Sequence, residues 1–121
     1  MQRFVMTGDY HTHTFYSDGT SSIEDNVIVA IEQGLKEIGI TDHGFNHVSG
    51  GIKRTDIPKM REEINNLQQK YPQIKIFLGI EANLLNYNGD VDLTEDDIKS
   101  LDYVILGIHK SVSYTHLTLP T

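Results

Sequence analysis

At 121 residues and net charge −7, from 10 Lys+Arg against 17 Asp+Glu, the chain has room for one domain and repels a phosphate backbone, which argues against general nucleic-acid binding. It has no cysteine, which excludes disulfides and thiolate metal sites and fits a reducing, cytoplasmic setting. The longest apolar runs, Val27–Ile31 and Tyr103–Ile108, are far too short for a membrane span, and no apolar targeting segment is read at the N-terminus.

The elements follow in chain order. Arg3–His11 reads as a first strand. Ser21 or Ser22 can cap a helix whose first turn carries Glu24 and Asp25, whose apolar residues Ile23, Val27, Ala30 and Ile31 recur at helical spacing, and which Gly34 closes. Leu35–Thr41 is a second strand, followed by Asp42-His43-Gly44 and a glycine-rich loop. Thr55 or Asp56 opens a second helix with Ile57, Met60, Ile64, Leu67 and Tyr71 on one face, stopped by Pro72. Ile74–Ala82 is nearly continuous in apolar residues, as in a strand buried on both faces. Asn88-Gly89 marks a small hairpin, Thr94 and Asp97 a capping box on a short helix, and Asp102–Ile108 a fourth strand. This alternation predicts parallel strands joined by helical crossovers.

The polar residues fall in register with that order. His11 and His13 are two apart at the end of strand one, so an extended backbone points both the same way, and Asp18 can fold back from the next turn. His43 follows strand two, Glu81 ends strand three and His109 follows strand four. The C-terminal strand ends form the working face of parallel α/β folds, and imidazoles and carboxylates converging there are what a divalent metal needs. Each residue alone has an ordinary reading. A single histidine after a strand is commonly a hydrogen-bonded surface residue, and Asp18 in Ser-Asp-Gly reads as a turn residue. Glu81 is harder to dismiss, because a carboxylate among Ile, Phe and Leu must be paired or coordinating. Asp9 and Asp42, just ahead of His11 and His43, can orient an imidazole or simply solvate a strand end. His47 in the glycine-rich loop is ordinary or substrate-facing.

Together "DYHTH", "SDGT", "TDHG", "GIEAN" and "DYVILGIH" resemble the motifs of the PHP (polymerase and histidinol phosphatase) family, over roughly Asp9 to Val112, and most closely its stand-alone bacterial phosphatase branch. The resemblance implies the N-terminal part, about four strands, of a distorted (β/α)7 TIM-like barrel. It implies two or three divalent ions (Zn²⁺ or Mn²⁺, with Fe²⁺ as a further option) held by His11, His13, Asp18, His43, Glu81 and His109, with Glu81 bridging two of them. The implied activity is hydrolysis of a small phosphorylated substrate by an ion-activated water. Family members continue into a further histidine and a late Asp-x-His that are missing here, and His116 is too near His109 to replace them. Residues 1–112 are accordingly read as the N-terminal portion of the domain. Residues 113–121, ending "SYTHLTLPT", resemble translated adapter or vector sequence and are set aside. The competing readings are a PHP domain of a DNA polymerase, acting as proofreading nuclease or structural module, and an inactive metal-binding fragment.

Overall fold

Strand β3 (Lys75–Asn83) is the centre of the sheet, and its alternation explains the layering. Ile76, Leu78, Ile80 and Ala82 point to one side and join the hydrophobic core, whereas Phe77, Gly79 and Glu81 point to the other. The computed structural model describes residues 7–45, 47, 50–85, 90–107 and 116–119, the last four for their backbone alone. Around β3 run β1 (Gly8–Thr12), β2 (Glu37–His43), β4 (Tyr103–Gly107) and β5 (His116–Leu119), in the spatial order β1-β2-β3-β4-β5. The first four are parallel and curl into a half-barrel. Helices α1 (Ile23–Glu32) and α2 (Asp56–Lys70) cover the outer face, placing Ile23, Val27, Ala30, Met60, Ile64 and Leu67 against Ile38, Ile40, Ile76, Leu78 and Ile80. Each fully buried aliphatic side chain of that cluster contributes roughly 1.5–3 kcal/mol.

The predicted punctuation holds. Ser22 accepts the Asp25 amide while the Asp25 carboxylate accepts the Ser22 amide, a reciprocal capping box. Thr94 and Asp97 do the same for α3 (Glu95–Lys99). Gly34 takes φ +78, a left-handed conformation open to glycine at little cost. At α2, Thr55 makes no side-chain cap; Asp56 instead accepts the Lys53 amide at 2.8 Å, so a turn leads into the helix.

Strand ends shift by a residue or two: β1 ends at Thr12 rather than His11, β3 lies one residue later than expected at both ends, and β4 starts at Tyr103 rather than Asp102. β2 runs two residues beyond the predicted Thr41, so His43 is its last residue rather than the one after it. β5 was not expected at all; it pairs antiparallel to β4 (Gly107↔His116 through Val104↔Leu119) inside the segment set aside on sequence grounds. The Asn88-Gly89 tip and His109 lie outside the described residues. The flanks of the hairpin are described: Leu84 bridges Val91, the Leu85 amide donates to Asp90, and the buried Asp92 accepts both amides of Asn83. No helix among the described residues is long and apolar enough to cross a membrane.

Candidate metal centre

Parallel register sets the site. His43 is directly opposite Glu81 across β2 and β3, at the C-terminal edge. Glu81 is 1% exposed, and one of its oxygens, Oε2, gathers three imidazoles: His11 Nε2 at 3.3 Å, His13 Nε2 at 3.0 Å and His43 Nδ1 at 3.1 Å. Asp18 closes the cluster from the β1–α1 loop, with His13 Nδ1 at 2.8 Å and His43 Nε2 at 2.9 Å from its two oxygens. The described residues thus form two triads that share His13, namely His11–His13–Glu81 and His13–Asp18–His43. Five of the six residues named from the sequence come together; the sixth, His109, is outside the described residues.

The electrostatics follow from this crowding. Burial pushes the Glu81 carboxyl up, but the His13 hydrogen bond and the His43 and His11 charges outweigh it and hold the group at about 2. Asp18 is balanced the same way, burial opposing the two imidazoles, and also ends below its ordinary value. The hydrogen bond to Glu81 leads in raising His13, helped by Asp18. His43 goes the other way, because burial dominates and the His13 and His47 rings add to it. His47 stacks on His43 with ring centroids 3.6 Å apart.

These residues fit a divalent cation. Ligand atoms held tetrahedrally about 2.0–2.1 Å from an ion stand roughly 3.3 Å from one another. The nitrogens around Glu81 Oε2, at 3.0–3.3 Å, are close to that spacing, and all the donors are the imidazole and carboxylate types that such ions favour.

Asp42 is placed differently from the sequence expectation of a carboxylate orienting a ring. Neighbours in a strand point to opposite faces, so Asp42 turns away from the His43 ring. Fully buried, it accepts from the Thr14 amide (2.6 Å), the Ser17 hydroxyl (2.6 Å) and the Thr14 hydroxyl (2.8 Å). It therefore organises the loop that presents Asp18. Asp9 is exposed, and its carboxylate accepts the backbone amide of His11 at 3.2 Å.

A family comparison matches residues 9–119 to the PHP domain. The chain belongs to the PHP domain family. Relatives include a probable phosphatase of Caldicellulosiruptor bescii, 34% identical over 108 residues covering 82% of this chain and 40% of the relative. A probable phosphatase of Shewanella piezotolerans is 36% identical over 107 residues, covering 86% and 40%. The DNA polymerase/3'-5' exonuclease PolX of Bacillus subtilis is 31% identical over 105 residues, covering 86% of this chain and 18% of the relative. Among solved structures, a histidinol phosphate phosphatase from Lactococcus lactis, complexed with zinc, L-histidinol and phosphate, aligns with a TM-score of 0.63 at 26% identity, over 88% of this chain and 41% of that one. This PHP chain thus spans about two fifths of the length of its phosphatase relatives and less of the polymerase.

Proposed function

We propose that this PHP chain carries the N-terminal half of a metal-dependent phosphatase centre that hydrolyses small phosphate monoesters. The observation that carries the reading is the convergence of His11, His13 and His43 on the buried Glu81 carboxylate, with Asp18 on the far side of two of the rings. His11, His13 and Glu81 would hold one ion and Asp18 with His43 would contribute to a second, with Glu81 within reach of both; His109 belongs to the proposed set through the family resemblance. Bound divalent ions supply Lewis acidity toward phosphoryl oxygens and acidify a water toward neutrality.

The protein's own contribution is placement and charge. Glu81 stays ionised throughout the neutral range and offsets cationic charge in a site closed to solvent on that side. Asp42 fixes the loop that carries Asp18, and His47 stacks on the His43 ring. Zinc in the Lactococcus lactis neighbour supports Zn²⁺ as one suitable ion, with Mn²⁺ and Fe²⁺ compatible with the same donors.

We read residues 1–112 as belonging to this domain and 113–121 as foreign to it on the wording of the tail itself; the family match that runs to residue 119 and the pairing of β5 with β4 weigh on the other side. The PolX relative keeps a second reading, a polymerase-attached nuclease domain, in play, and the charge of −7 weighs against it.

The test measures bound metal by elemental analysis, and metal-dependent hydrolysis of a generic phosphate monoester and of single-stranded DNA. One protein is the 121-residue chain; the other replaces residues 113–121 with the C-terminal region of the Caldicellulosiruptor bescii relative. Metal in both and monoester turnover in the extended protein support the proposal. Absence of metal from both, or turnover of DNA alone, refutes it.

A further inference from the structure

The pairing of β1 with β2 slips by one residue. Asp9 is opposite Ile38, but Thr12 is opposite Ile40, so β1 spends three steps where β2 spends two. Parity makes this slip decisive. Ile38 and Ile40 lie on the core-facing side, and Asp9 and Thr12 are paired with them, so the two residues between, Tyr10 and His11, share the opposite face with Glu81. In an unbroken register His11 would be opposite Ile40 and both histidines of the His-x-His pair would point at the helices.

Side chains occupy the backbone groups of the slip. The Tyr103 hydroxyl, reaching from β4, donates to the Tyr10 carbonyl. Thr41 Oγ1 lies 3.5 Å from that carbonyl and 3.3 Å from the Thr12 carbonyl, and it accepts the Thr12 amide at 3.2 Å. The Tyr103 ring crosses two intervening strands, and both have glycine beneath it: a Cβ on Gly39 would land on the Tyr103 hydroxyl, and one on Gly79 would lie 3.3 Å from the ring carbon Cε1. Tyr10 packs edge-on against that ring at 6.4 Å.

We propose that Tyr103 is a positioning residue that holds the β1 bulge through the Tyr10 carbonyl and so aims His11, and with it His13, at Glu81; this rests on the metal-centre reading above. Burial, with Asp9 and Tyr10 adding to it, raises the phenol well above its ordinary value, so the group remains a neutral donor at any working pH.

The experiment measures Zn²⁺ affinity of the 121-residue chain by competition with a chromophoric chelator, for the parent, Tyr103→Phe, His11→Ala and the double variant, with far-UV circular dichroism of each. Tyr103→Phe should weaken binding about 10-fold, the scale of lost partners that orient a ligand. In the His11→Ala background it should cost clearly less, because one of the two histidines that the slip aims is already gone and only His13 is left to displace. Gly39→Ala, which leaves the hydroxyl but displaces it, should reproduce the loss. Unchanged affinity in Tyr103→Phe, an equal further loss in the His11→Ala background, or collapse of its circular dichroism would each overturn the assignment. A parent chain that binds no zinc would instead remove the metal-centre reading, and this proposal with it.

Discussion

Asp42 offers the sharpest energetic test, because its burial is complete and every partner is identified. Asp42→Ala removes the acceptor of three hydrogen bonds, from the Thr14 amide, the Thr14 hydroxyl and the Ser17 hydroxyl, at 2.6–2.8 Å. Bonds to an ionised acceptor are worth roughly 1.5 kcal/mol or more each, and the buried donors left behind carry their own desolvation cost, so a loss of about 4 kcal/mol is expected. Against a total stability of about 5–15 kcal/mol that leaves a marginal fold. Asp42→Asn should cost far less, about 1 kcal/mol, since its carbonyl still accepts and its amide can donate to the Thr14 hydroxyl. The pH dependence has a definite sign. Burial raises the Asp42 carboxyl above its ordinary 3.8, with the Ser17 and Thr14 hydrogen bonds opposing it. A raised folded value means that the ionised form weakens folding: the group's contribution is fullest below 3.8 and is lost as pH rises through the folded value. The stability gap between parent and Asp42→Asn should therefore narrow on going from pH 3 toward pH 7. Urea unfolding in the presence of EDTA measures all three proteins. A cost below about 1 kcal/mol for Asp42→Ala, or equal costs for the two variants, would refute the reasoning.

Glu81→Gln should lose more bound metal than alanine at any one of His11, His13 or His43, because the amide keeps the shape but not the charge that faces all three rings; full metal content by elemental analysis would reduce Glu81 to a paired core residue. Arg54 forks onto Asp97 with both contacts at 2.8 Å, and that hydrogen bond leads in holding the Asp97 carboxyl at about 2. The lowered value gives the opposite sign to Asp42: the stabilisation is present above 3.8 and fades as pH falls toward 2. The destabilisation caused by Arg54→Ala should accordingly be visible in urea midpoints at pH 5 and shrink by pH 2.5, and an effect independent of pH would show that Arg54 acts through its packing on Phe45.

Local patterns were the legible part of this sequence because they are written in neighbouring residues. The two capping boxes, the Gly34 turn and the core faces of α1 and α2 follow from spacings of three and four. Convergence of the metal-type residues was legible for a related reason: a parallel sheet sends successive strand ends to one edge, so His43 and Glu81 had to meet once β2 and β3 were placed side by side. What stayed hidden depends on parity and reach. The His-x-His spacing shows that the two histidines share a face, but not which face, and that choice is made by a one-residue slip with no motif of its own. Its anchor comes from Tyr103, 93 residues away in sequence, which from sequence is only an aromatic residue at the start of a strand. The role of Asp42 stayed open in the sequence for want of the same parity argument: next to His43 in sequence means opposite to it in a strand, which sends the carboxylate to the loop bearing Asp18. The centre is thus held from both sides of the sheet. Asp42 works through the β1–α1 loop on one face and Tyr103 through the β1 bulge on the other, and His13 stands between the two segments they restrain. Because the two supports act through different stretches of backbone, losing one should loosen mainly its own unshared residue, Asp18 or His11, while His13 feels the loss of either.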